Sequence, residues 1–270
     1  MKAFINHFTF EFRTGIRNKQ LLLMNYLFPL GFYLMMGFIL AEINPRFRED
    51  IIPAMVVFAV MAATLLGIPD PLVNARENGI FRNYKINGIP STSILIISAL
   101  TTILHLMIVT VIITVSAPML FDAPLPLNWL NYVLIFIATA VACAGISMLI
   151  GVVAPSSRVT VLWSQLVFIP SMIVGGLLMP YSMLPDTAGK IAQILPATQA
   201  MNAFNGLAMG RTADFSPWGS VIALLVSGVL AFGLAIYLFS WDSHNTERRG
   251  HPALALLALL PYIVGIFLLS

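Results

Sequence analysis

Charge is what this chain has least of. Asp, Glu, Lys and Arg make up 9% of its 270 residues, while 59% are hydrophobic. An ordinary soluble domain is about 25% charged. A soluble fold of this size cannot cover so much apolar surface with so few polar groups, so lipid is the solvent for most of the chain. Cysteine is almost missing as well. Cys143 lies alone in an apolar run, which excludes a disulfide framework or a cysteine metal cluster and reads as a small core residue. There is no HExxH, no GxSxG and no crowding of His, Asp and Glu that would hold a metal. No catalytic residue and no metal ligand is therefore assigned, and an intramembrane hydrolase is disfavoured. The phosphate loop GxxxxGK[ST] is absent too, so the chain does not bind ATP through such a loop. The net charge of +3 rests on few residues and implies no nucleic-acid partner.

The apolar runs also lack charge inside them. Asp70 stands at the edge of one, and His105 is the single titratable group deep within another. Proton- and ion-driven carriers keep acids or bases there, which disfavours a secondary carrier or channel. His105 reads first as an interhelical hydrogen bonder and second as a site.

What is present is length. A spanning helix needs about 20 mostly apolar residues. Six runs qualify, at 21–41, 51–69, about 93–117, about 128–154, about 159–179 and about 218–240. A seventh candidate, 252–270, is short and carries Pro261 near its middle, so a seventh span and an interfacial helix are both open. The fold class is an all-α polytopic membrane protein. With the N-terminus in the cytoplasm, ten of the Lys and Arg residues fall inside and four outside (Arg46, Arg48, Lys190 and Arg211), the asymmetry that sets orientation. The N-terminal stretch MKAFINHFTFEFRTGIRNK is charged and amphipathic for longer than a cleavable signal. Phe4, Phe8, Phe12 and Ile16 recur every four residues in it. That periodicity predicts an amphipathic helix over 1–20 lying in the membrane interface, either as an anchor or as a lever.

Two segments break the pattern. Residues 77–90, ENGIFRNYKINGIP, form a compact charged insert between the second and third runs. Residues 180–211 are too polar for a span and too apolar for an ordinary loop, and Pro180, Pro185 and Pro196 cut them into short pieces. Two short helices dipping into the outer leaflet and returning fit this composition; an amphipathic surface loop is the alternative. Within the fourth run Cys143, Ser147 and Gly151 repeat at four-residue spacing, which lets helices approach closely in lipid.

Taken in order, three stretches resemble the ABC-2-type membrane (permease) subunits of ABC exporters. They are GIRNKQLLLMNYLFPL at 15–30, RENGIFRNYKINGIPSTSIL at 76–95, and GGLLMPYSMLPDTAGKIAQILPATQAMNAFNGLAMGR at 175–211. The resemblance covers residues 1 to about 240 as one transmembrane domain, with a cytoplasmic coupling segment at 70–90 and an outer re-entrant segment at 180–211. It implies a six-span bundle, a second membrane subunit (a homodimer or a related heterodimer) and a separate ABC ATPase subunit that carries ATP and Mg. It implies a coupling helix at about 79–87, freed at both ends by Gly79 and Gly88, with Pro90 in the first turn of the next span. Glu77, Arg82 and Lys85 would make charged contacts to the ATPase, and Phe81 and Tyr84 would fill an apolar cleft on it. A solvated positive-inside loop is the plainer reading of the same charges. The resemblance also implies a translocation path between subunits along the first, second and fifth spans, with Asn25, Tyr26, Thr64, Ser164 and Gln165 as polar candidates. Met179 and Leu184 would form an outer gate. The implied location is the bacterial cell (inner) membrane, as a multi-pass protein.

The departure is at the end, where residues 241–270 continue beyond the sixth run. An ATP-driven export permease for a hydrophobic or amphipathic substrate is the leading reading. A secondary carrier or channel and a non-transporting membrane anchor stand against it.

Overall fold

The structure, a computed structural model, describes residues 9, 12, 18–44, 47–242 and 250–268. The amphipathic pattern of residues 1–20 lies largely outside the described residues, within which only Thr9, Phe12 and 18–20 fall. Every regular element among the described residues is helical. Six helices are long and apolar enough to cross a membrane: α1 (Leu23–Ile43), α2 (Phe47–Glu77), α4 (Ser91–Phe121), α5 (Trp129–Val153), α6 (Ser157–Val174) and α9 (Pro217–Leu238). Between them stand three short helices, α3 (Ile80–Ile86), α7 (Asp186–Ala192) and α8 (Pro196–Ala203). A C-terminal segment follows, 3₁₀ over Pro252–Leu259 and then α10 (Leu260–Leu268).

The apolar runs mark the spans but not their ends. The second span continues past 69 to Glu77 because Leu72, Val73 and Arg76 of the expected loop are buried one helical turn apart. The fifth stops at Val174, since Gly175 and Gly176 follow, the latter at φ 88. Met179 is therefore outside the helix. Pro90 stands just before α4 rather than within its first turn, with extended backbone that aims the chain into Ser91. Side-chain caps begin α5 and α9: Asn128 accepts from the Asn131 N–H (3.0 Å) and Ser216 from the Gly219 N–H (3.3 Å).

Helix α2 forms the centre, and residues 51–63 are buried without a break. Helices α5 and α9 approach closely through glycine, not on the Cys143–Ser147–Gly151 stripe but beside it. A Cβ on Gly145 would lie 2.7 Å from the Gly228 carbonyl oxygen. Gly151 of the stripe packs instead on Pro69 and Leu72 of α2, and the Ser147 hydroxyl donates back to the Cys143 carbonyl (2.6 Å).

Exposed aromatics on α9 bracket the bilayer. Trp218 and Tyr237 are both about half exposed and are 19 positions apart, about 29 Å along a helix. That matches the ~30 Å hydrocarbon core, and such rings favour its two faces. The C-terminal segment starts at the Tyr237 end, where Gly250 meets the Tyr237 and Leu238 side chains, and the Ser227 hydroxyl donates to the Ala258 carbonyl (2.8 Å). It thus runs antiparallel to α9. Pro261 falls in the first turn of α10, where a missing N–H costs little.

Candidate functional site

Residues 76–90 close into a small built unit at one end of the bundle. Gly79 (φ 71) ends α2 and Gly88 (φ 70) ends α3, both in the left-handed region that favours glycine. At the second end Gly88 N–H donates to Lys85 O (3.1 Å) and Ile89 N–H to Tyr84 O (3.0 Å), the paired bonds of a Schellman stop. The unit is fastened at three points. Arg76 is buried, and its guanidinium donates to the carbonyls of Val152 (2.6 Å) and Ala154, so a cation sits on the open C-terminus of α5, where the helix dipole favours it. Phe81 packs on Phe239, ring centroids 5.2 Å apart. Arg82 pairs with Asp242.

These fastenings alter the expected roles. Phe81 is only 4% exposed and belongs to this chain's own core. It does not project as a plug toward a partner. Tyr84 is half-buried behind it, with ring centroids 6.5 Å apart. Arg82 reaches back to Asp242 while keeping more than half of its side chain exposed. The outward surface of α3 is instead made by Ile80, Asn83, Lys85 and Ile86, with Glu77 exposed at the end of α2. Ile86 is 77% exposed. Arg76, Phe239 and Asp242 were not singled out from sequence. Only the pairing of a second aromatic cluster, FSWD at 239–242, with the insert could have pointed to the last two.

The polar candidates on the spans divide. Asn25 and Thr64 each lie in a π-helical turn, Leu23–Leu27 and Ala62–Leu66, and the two turns pack on each other. The second turn also packs on α6, which carries Ser164 and Gln165. Asn25, Thr64 and Ser164 are buried, Thr64 completely, and Gln165 is half-buried. Thr64 spends its hydroxyl on the Val60 carbonyl (2.7 Å). Tyr26 points elsewhere, sharing a 2.7 Å hydrogen bond with His105 Nδ1 on α4. The His105 ring is stacked on Phe12, centroids 4.5 Å apart. His105 thus bonds between helices, as its isolation suggests.

One turn along from this patch is an aromatic cluster the sequence reading missed. Phe32 stacks on Phe58 at 3.9 Å, and Phe58 also meets Phe28 (5.5 Å) and Phe168 (5.7 Å). It joins α1, α2 and α6, the three spans expected to line a path. π turns concentrate at functional sites because they break the regular ladder; two of them here flank buried polar side chains under a ring cluster.

At the opposite end of the bundle, α8 is buried over its whole length. Asn202 holds it there. Its amide donates to the Phe215 carbonyl and the Ser220 hydroxyl (both 3.0 Å), and its carbonyl accepts from the Asp214 N–H (2.9 Å) and Phe215 N–H (3.3 Å). Gln199 donates to the Gln193 carbonyl (2.6 Å), and Gln193 donates to the Tyr181 hydroxyl (2.8 Å). Arg211 pairs with Asp50 and so ties this segment to the start of α2. Met179 is exposed and Leu184 half-buried on the approach to it.

Long apolar helices, a buried short helix at one end and a fastened helical insert at the other define a multi-pass membrane protein. The family model of the ABC-2 type transporter matches residues 4–209. A relative, the putative transport permease YvfS of Bacillus subtilis (strain 168), is 22% identical over 232 residues, covering 84% of this chain and 93% of that protein. No solved structure matches. The chain belongs to the ABC-2 type transporter family.

Proposed function

We propose that this chain is the membrane subunit of an ATP-driven exporter, moved by a separate ATPase through α3. The observation that carries the reading is the build of residues 76–90: a seven-residue helix between two left-handed glycines, fastened from behind and presenting Ile80 and Ile86 outward. A solvated positive-inside loop has no need of such anchorage. On this reading Phe81, Tyr84 and Arg82 make α3 rigid, whereas Glu77, Ile80, Lys85 and Ile86 meet the partner. ATP and Mg belong to that partner. Two membrane subunits enclose the path. On this reading Gln165 and Phe28 face it, Asn25, Thr64, Ser164 and the rest of the phenylalanine cluster pack directly behind them, and the segment with Met179 and Leu184 guards its outer mouth.

The test is co-purification with an ATPase subunit that carries a phosphate loop, followed by ATPase and export measurements in vesicles. Ile86→Asp is expected to leave folding intact and to lower substrate-stimulated ATP hydrolysis at least tenfold; Glu77→Arg acts in the same direction. Full stimulation with Ile86→Asp in an assembled complex would remove α3 from the coupling role.

Orientation is checked by cysteine labelling, with the native Cys143 buried and silent. Asn83→Cys is expected to react only from the cytoplasmic side and Thr187→Cys only from outside. The C-terminal segment joins α9 from the Tyr237 face. At about 2.0 Å per residue for its 3₁₀ half and 1.5 Å for α10, it extends about 30 Å, enough for a seventh crossing. Ser270→Cys is then expected to label from outside; labelling from the cytoplasm would make it a returning helix.

A further inference from the structure

A groove of about 440 Å³ lies between α5, α6 and the C-terminal segment, walled by Ile150 and Val153, Trp163 and Leu166, and Ala255 and Leu256 among other apolar side chains. Among the described residues no charged side chain lines it. The 3₁₀ form explains the space. At three residues per turn, positions 252, 255 and 258 eclipse, so Pro252, Ala255 and Ala258 share one narrow stripe, and alanine leaves the wall hollow beside α5.

Depth decides what fits. Gly250, just before the groove, stands level with Tyr237, which marks one face of the bilayer. Ala258, near its far end, is bonded to Ser227, ten positions up α9 and so about 15 Å deeper. The groove therefore extends from one membrane face to about the midplane, half of the ~30 Å hydrocarbon core. An apolar space within that slab gives water no hydrogen-bond partners. An extended hydrocarbon chain running along the bilayer normal matches its depth and its apolar lining.

We propose that the groove holds one acyl chain of a phospholipid from the leaflet on the Tyr237 side, seated as a filler between the C-terminal segment and the bundle. This does not depend on the exporter reading, because it concerns residues 252–259 and their neighbours and needs neither ATP nor a partner.

The test uses full-length protein in vesicles of phosphatidylethanolamine and phosphatidylglycerol doped with a phosphatidylcholine that bears a diazirine midway along one chain. After irradiation, labelled peptides are mapped by mass spectrometry. Label is expected to concentrate on 146–167 and 252–259, and Ala255→Trp, which fills the groove, is expected to reduce it there at least fivefold. Val229→Trp, on the exposed face of α9, should leave that labelling unchanged. Should Ala255→Trp fail to fold, Ala253→Phe, from the same wall, supplies the filling variant. Label spread evenly over all exposed spans, unchanged labelling in the filled variant, or crosslinks between two copies at Ala255→Cys in place of lipid label would each overturn the proposal.

Discussion

Replacing Gly228 with valine is expected to prevent the bundle from closing. A Cβ at this position would lie 2.9 Å from the Ala142 nitrogen and 3.0 Å from its Cα. Those are backbone atoms of α5 and cannot rotate away. A Cβ on the neighbouring Gly145 would in turn lie 2.7 Å from the Gly228 carbonyl oxygen, so both sides of the contact are already at the limit. Overpacking a well-filled core costs about 1–3 kcal/mol and sometimes more. Here it also forces apart two helices whose association in lipid depends on close packing. The expected readout is loss of the monodisperse peak in detergent, or a melting transition too low to measure at room temperature. Gly233→Val is the internal control. It lies on the same helix, and a Cβ there meets nothing within 4 Å, so the variant should behave as the parent does.

Arg76→Leu is expected to have the second-largest effect. The side chain is buried, and its guanidinium donates to the Val152 and Ala154 carbonyls. A hydrogen bond to a charged group contributes about 1.5–3 kcal/mol, and leucine leaves both carbonyls without this donor. A loss of about 2–5 kcal/mol is expected, measured as a lower midpoint in thermal unfolding of the solubilised protein. Arg76→Lys should recover only part of it, because one ammonium cannot replace a planar fork. Because Arg76 fixes α2 to the end of α5, the leucine variant that still folds in bilayers should also uncouple ATP hydrolysis from transport. Complete thermal stability in Arg76→Leu would show that the cap is dispensable.

Much of the architecture was legible because lipid leaves only one solution for an apolar run of 20 residues, a helix. The spans, the glycine-bounded insert and the broken segment after the fifth span all follow from composition and turn chemistry. Direction within short helices was not legible. In a seven-residue helix, Phe81 and Tyr84 form a stripe that serves an internal core or an external cleft equally well, and only the arrival of Phe239 from 158 positions away decides between them. Arg76 was hidden for a similar reason. A lone arginine beside an apolar run reads as part of the positive-inside bias, and the carbonyls it caps lie in a different span. The Gly145–Gly228 contact follows no repeat within either helix. Pairs between helices leave no trace in the periodicity of one.

The π turn in α2 has a mechanical consequence. Between the phenylalanine cluster and the start of α3, α2 passes through Ala62–Leu66 and then the two prolines Pro69 and Pro71. A π turn carries one residue more than an α turn, and each α-helical residue carries the chain about 100° around the helix axis. The Pro nitrogens add no hydrogen bond across the junction. The regular hydrogen-bond ladder of the helix is therefore interrupted twice between Thr64 and Pro71. On the proposed coupling role, this interrupted stretch is where α2 would yield first, between α3 and the ring cluster.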